Sequence, residues 1–138
     1  MKKHVKLKDM IREVLARYGG RLDNAALSGI IYLIDIEYVR RHDSQATDIF
    51  WQQNSDGPFT WDIMDCVNAN PHFFGVRKDD NRELITATDK ECPELSEEIG
   101  NLIDYVKNTA PDPKTDFTGF VNMTSSAQKE KPAAQSAS

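Results

Sequence analysis

One stretch of the chain, residues 22–67, constrains the fold more than any other. Its first half is the most apolar segment of the sequence, and its apolar residues recur at helical spacing: Leu27, Ile30, Ile31, Ile34 and Tyr38. Leu33 and Val39 widen this stripe, and a helix that is apolar around so much of its circumference belongs at the centre of a fold. The pattern predicts a core helix from Asp23, as its N-cap, to about His42.

Three further helices are predicted around the core helix. Residues 5–18 form an amphipathic pattern that Gly19-Gly20 ends, as glycine commonly does at a helix C-terminus. A short helix from Trp61 to about Ala69 follows the turn residues Asp56-Gly57-Pro58-Phe59, with Thr60 as its N-cap. A fourth helix opens at Pro93 and ends near Asn108.

Short strands are predicted on either side of the third helix. Residues 47–53 are aromatic and β-branched, which favours a strand, and residues 73–77 and 83–88 flank a polar turn and predict a β-hairpin. The resulting class is α+β and mostly helical, with the winged-helix-like order helix-helix-strand-helix-hairpin-helix. The hairpin would be the wing, and helix 61–69 would occupy the position of a recognition helix.

The length of 138 residues allows one domain, which we place at 1–115. Residues 116–138 are predicted to be a flexible polar tail, since few apolar side chains occur there and the sequence from Thr124 has low complexity. No signal peptide or membrane span is evident, and the chain is expected to be cytoplasmic.

The charge and the reactive residues exclude several kinds of function. A net charge of -5 argues against non-specific nucleic-acid binding, which depends on neutralisation of phosphates by Lys and Arg. The three histidines and two cysteines lack metal-ligand spacing, and no phosphate-binding loop or nucleophile elbow is present. We expect no metal, no cofactor and no enzymatic activity, and we interpret Cys66 as a small core residue.

Two features could instead serve recognition. Asp35 lies between two isoleucines of the core helix, where a carboxylate is costly to bury unless it is paired with Arg12, Arg40, Arg41 or a tyrosine hydroxyl. It is a polar anchor, an exposed edge of the helix, or a partner contact. An aromatic cluster surrounds the Asp-Gly-Pro turn and consists of Phe50, Trp51, Phe59 and Trp61. An exposed patch at Trp51 or Trp61 would suit a protein interface, and core packing is the alternative.

The order of these elements resembles the Panacea domain of the SocA-like antitoxins. The resemblance rests on residues 27–35 (LSGIIYLID), on Tyr38 with Arg40-Arg41-His42, and on Gly57-Pro58-Phe59 opening a helix. It covers approximately residues 7–88. Ser28-Gly29 and Asp56 depart from the residues that many members carry at these positions, so the departures bear on partner identity more than on fold.

The resemblance implies a prokaryotic or phage-borne antitoxin that binds a co-encoded toxin directly and blocks it. It implies no catalytic residues. The residues considered as partner contacts are Asp35, Tyr38, Arg41, Trp51, Asp56, Phe59 and Trp61. Two alternatives stay open: a winged-helix transcription regulator that uses helix 61–69 on DNA, and a proteolytic adaptor that delivers a partner to a protease. Helix 61–69 contains two aspartates and no Arg or Lys, which makes it poorly suited to a phosphate-lined groove.

Overall fold

The computed structural model describes residues 5–54, 57–79, 82–87 and 95–127. Within these ranges the chain is α+β, with helices packed around one central helix, a small three-stranded antiparallel sheet and a two-stranded ladder. The elements in chain order are α1 (Leu7–Arg17), β1 (Arg21–Asp23), α2 (Asn24–His42), β2 (Gln52–Asn54), β3 (Gly57–Phe59), α3 (Asp62–Ala69), β4 (Phe74–Asp79), β5 (Arg82–Ala87), α4 (Glu97–Thr109) and α5 (Phe117–Ala127).

The predicted core helix is confirmed as α2. Every residue from Ala26 to Ile36 is buried, which is the all-round burial that its sequence predicts. Asp23 caps it as expected, because its side chain accepts a hydrogen bond from the backbone N–H of Ala26 at 2.8 Å. The helix ends at Asp43, which adopts a left-handed conformation with φ 61°.

The chain reverses between α1 and α2 at Gly19 and Gly20. Both glycines have positive φ, 94° and 95°, a conformation that a side chain would oppose. The reversal leads into β1, a strand that the sequence did not predict. Leu22 of β1 lies opposite Ile85 of β5, so a partner about sixty residues away in the chain is what makes residues 21–23 a strand.

The predicted hairpin is confirmed as β4 and β5, which pair antiparallel with Val76 opposite Ile85. With β1 it forms a three-stranded sheet in the order β1-β5-β4. The predicted short helix is confirmed as α3, but its N-cap residue is Trp61 and not the predicted Thr60. The Thr60 hydroxyl still accepts a hydrogen bond from the backbone N–H of Asp62 at 3.0 Å, at the start of the helix. Ser96 caps α4, whose predicted opening residue Pro93 lies outside the described ranges.

The prediction of a strand over residues 47–53 is wrong for most of its length. Only Gln52–Asn54 form a strand, paired with Gly57–Phe59. Residues 43–51 have no regular secondary structure, because their polar groups bond to the side chain of Asp35 and to one another instead of to a neighbouring strand.

The prediction of a flexible tail from residue 116 is also wrong for its first half. Residues Phe117–Ala127 form α5, and Phe120 is 2% exposed within the same hydrophobic cluster as α1, α2 and α4. Gly29 of α2 permits this contact, since a Cβ there would lie 2.5 Å from Cε2 of Phe120. Thr124, where the low-complexity sequence begins, is buried as well. The rest of the predicted tail, residues 128–138, lies outside the described ranges.

Candidate partner-binding surface around Trp61

The residues considered as partner contacts separate into surface and interior positions. Trp61 is 63% exposed, Phe59 is partly buried, and their neighbour Phe50 is 53% exposed. Trp51 and Asp35, by contrast, are 1% and 0% exposed. Core packing, one of the two alternatives for the aromatic cluster, therefore applies to Trp51. The other alternative, an exposed position, applies to Trp61.

The exposed aromatic residues come together because β2 and β3 form a short antiparallel ladder. Gln52 lies opposite Phe59 as the last pair of the ladder, and Phe50 and Trp61 each lie two residues beyond that pair along the chain. The backbone N–H of Phe50 donates to the Asp62 carboxylate at 3.1 Å, which fixes this end of the ladder beside the first turn of α3. The rings of Phe59 and Trp61 meet edge to face with centroids 4.8 Å apart. We call Phe50, Phe59 and Trp61 the aromatic surface.

A groove continues from the aromatic surface along the N-terminal half of α2. Its volume is about 290 Å³, and Phe59 belongs to both features. Phe117 of α5, a residue that sequence reasoning assigned to a flexible tail, lines the groove and is 47% exposed. Other lining residues are small or apolar: Ala25, Gly29, Pro58 and Val121. The aromatic surface therefore extends into a concave, mostly apolar region that a partner side chain could fill.

Asp35 lies in the interior and collects several hydrogen bonds from the segment that follows α2. Its Oδ1 accepts from the Thr47 backbone N–H at 3.0 Å, and its Oδ2 accepts from the Thr47 hydroxyl at 2.6 Å and from the Trp51 indole at 2.9 Å. The Gln45 amide lies 3.5 Å from the same oxygen. Its role as a direct partner contact is therefore wrong, since a side chain with no exposed surface cannot touch a partner. The alternative of an exposed helix edge fails for the same reason, and what remains is a buried polar anchor.

Burial raises the pKa of the Asp35 carboxyl from its ordinary value of 3.8 to about 6. The hydrogen bonds from Thr47 and Trp51 oppose that rise, because they stabilise the ionised form. Sequence reasoning considered arginines and tyrosines as its partners. Arg40 and Arg41 pair with Glu37 at the surface instead, at 2.9 and 3.2 Å. The residues that donate hydrogen bonds to the Asp35 carboxylate are Thr47 and Trp51, which follow α2 closely in the sequence.

Tyr38 and Arg41 lie near the far end of α2. Tyr38 packs its ring against His42 with centroids 4.2 Å apart, and the Arg41 guanidinium lies over the Tyr105 ring at 5.6 Å. Tyr38 is nine residues beyond Gly29, roughly 14 Å along the helix. Tyr38 and Arg41 therefore lie beyond the groove at Gly29, beside His42 and beside Tyr105 of α4. Asp56 lies outside the described ranges.

The described residues were also compared with what a metal site, a reactive cysteine and a membrane-spanning helix require. Among them, no group of three or more His, Cys, Asp and Glu side chains is arranged to hold a metal ion. Cys66 is half-buried, and burial raises the pKa of its thiol, which lowers the thiolate fraction. No helix in the described ranges is both long enough and apolar enough to cross a bilayer.

Comparison of the chain with protein-family models, with curated proteins and with solved structures found no match in any of the three.

Proposed function

We propose that this chain is an antitoxin-type binding module with a winged-helix-like, Panacea-like domain, which neutralises a co-encoded prokaryotic or phage toxin in the cytoplasm by direct protein–protein contact. The observation that carries the proposal is the aromatic surface, in which Trp61 is 63% exposed beside a 53% exposed Phe50. The sequence resemblance over residues 27–35, 38–42 and 57–59 supports the same class.

An aromatic cluster at a protein surface has a physical use when a partner covers it. Tryptophan is enriched among the residues that dominate interface energies, because it buries a large rigid ring at little entropic cost. The adjacent groove would receive an apolar side chain of the partner, and Phe117 would form part of that contact. The net charge of -5 favours a basic partner, since complementary charge accelerates association.

A second candidate function is transcription regulation. The order of α1, β1, α2, α3, β4 and β5, with the sheet order β1-β5-β4, is the observation that favours a winged-helix-like arrangement. In that arrangement α3 would enter the DNA groove, but its first turn carries Asp62 and Asp65 and it has no Lys or Arg. Arg77 and Lys78 on β4 are exposed and are the basic residues that would support DNA contact. Protein binding is therefore the first candidate.

Co-expression with the adjacent gene tests the proposed function. If that gene encodes a toxin, this chain should restore growth of cells that express it, and the two proteins should co-purify. The Trp61→Ala variant tests the surface itself. It should protect less well at equal expression, because it removes the most exposed ring of the aromatic surface.

A different result would favour the second candidate. Tight binding to the promoter of its own gene without any protein partner, weakened by Arg77→Ala and by added salt, would contradict the antitoxin proposal.

A further inference from the structure

We propose that Asp35 is a positioning residue for the aromatic surface: through Thr47 and Trp51 it fixes residues 47–51 so that Phe50 faces solvent beside the first turn of α3, which follows Trp61. The inference deepens the proposed function and rests on it for its biological meaning. Its structural content stands on the contacts of the described residues.

The first step is that the bonds of Asp35 converge on one short segment. Three of its donors, the Thr47 amide, the Thr47 hydroxyl and the Trp51 indole, lie within five residues of chain. The Gln45 amide braces the same segment from within, since it donates to the carbonyls of Thr47 at 3.2 Å and Ile49 at 3.0 Å. A buried carboxylate therefore replaces the strand ladder that would otherwise hold this backbone.

The second step is the alternation of side chains along that segment. Thr47, Ile49 and Trp51 are 0%, 1% and 1% exposed, whereas Asp48 and Phe50 are exposed. Successive side chains of an extended chain point to opposite sides. Because Asp35 holds Thr47 and Trp51 inward, Phe50 between Ile49 and Trp51 has to point outward.

Phe50 is held between two fixed neighbours, Trp51 on one side and the start of α3 after Trp61 on the other. Trp51 is seated against α2 by an edge-to-face contact with Tyr32, with centroids 5.0 Å apart, as well as by its bond to Asp35. On the other side of Phe50, its backbone N–H reaches Asp62, the residue after Trp61. A shift of residues 47–51 would therefore move Phe50 relative to Trp61 and change the shape that a partner meets.

Fluorine NMR of the full chain labelled with 5-fluorotryptophan tests this inference without any partner. The two tryptophans give two resonances, one from the buried Trp51 and one from the exposed Trp61. Thr47→Val keeps the side-chain shape and removes the hydroxyl bond to Asp35, together with the 3.3 Å bond that the same hydroxyl accepts from the Ile49 backbone N–H. We expect both fluorine resonances to shift. In a separate hydrogen-exchange measurement, the Phe50 amide should exchange with solvent on the order of tenfold faster. Thr47→Ser, which keeps the hydroxyl, should restore both values.

The control is Val106→Ala, a destabilising change at a buried position of α4 that touches none of these bonds. It should leave both resonances and the Phe50 exchange rate unchanged. Should Thr47→Val fail to fold, Gln45→Met removes the bracing amide at similar volume and should give the same two changes. A Trp51 shift without any change at Trp61 or Phe50 would overturn the inference, because Asp35 would then stabilise the core only. Failure of toxin binding would leave this result intact and would bear on the proposed function alone.

Discussion

At the scale of single residues, Asp35 shows how an apolar helix can carry a carboxylate. A charged group without exposed surface is tolerated because hydrogen bonds replace part of its hydration. The replacement is incomplete, so burial still raises its pKa to about 6. Between pH 4 and pH 6 the folded chain therefore holds a proton at Asp35 that the unfolded chain has already released.

This difference predicts the pH dependence of folding. Since the folded state binds more protons in that range, the contribution of Asp35 to stability should fall as pH rises from about 4 to about 7. Asp35→Asn does not titrate, so the free energy of unfolding of the wild type relative to this variant isolates the effect. Urea unfolding should show that difference to be larger at pH 4.5 than at pH 7.5 by about 2 kcal/mol. A difference that does not change with pH would mean that the carboxyl titrates alike in both states.

At the scale of elements, the sequence predicts best where the signal is local. The core helix α2, the short α3 and the β4–β5 hairpin follow from apolar periodicity and turn residues that lie within each segment. The three-residue β1 could not be predicted, because it is a strand only through its pairing with β5. The aromatic and β-branched residue types of residues 47–51 favour a strand. Their conformation is determined instead by the side chain of Asp35 on α2.

Helix α5 is the third element whose conformation depends on a contact distant in sequence. Its sequence has weak helix formers, such as threonine, asparagine and glycine, and the signal available was Phe120 together with Gly29 on another helix. The aromatic surface was half predictable: the cluster was evident from sequence, but the inward position of Trp51 and the contribution of Phe117 depend on packing.

The docking of α5 is tested by two glycine substitutions. Gly29→Ala should destabilise the fold by about 1–3 kcal/mol, because the new Cβ would overlap the Phe120 ring. The matched control is Gly100→Ala in α4, where the new Cβ would meet the flexible end of Arg17 at 3.1 Å. It should be neutral or stabilising by up to about 1 kcal/mol, since alanine favours helices over glycine. Urea unfolding measures both.

A double mutant makes the test specific to the contact. In a Phe120→Ala background, Gly29→Ala should lose most of its cost, because the ring that it strikes is gone. Additive costs would show that Gly29 matters for a reason other than α5.

At the scale of the whole molecule, the described residues combine a buried core with an exposed aromatic surface. Helix α2 contributes to the core along its length, to the groove through Ala25 and Gly29, and to the orientation of Phe50 through Asp35. A partner that covers the aromatic surface would bury rings that the domain itself leaves in water. The acidic net charge would affect the rate of encounter, and the buried rings would determine how long the complex lasts.

The most direct test of this account is the affinity of the chain for the protein encoded by the adjacent gene, measured by calorimetry. Trp61→Ala is compared with Tyr105→Ala, because Tyr105 is an aromatic residue of comparable exposure, 45%, on α4. We expect Trp61→Ala to raise the Kd by roughly 30-fold, about 2 kcal/mol, with circular dichroism unchanged. Tyr105→Ala should change it less than about threefold. An unchanged Kd for Trp61→Ala, or a larger loss for Tyr105→Ala, would contradict the assignment of the aromatic surface as the binding site.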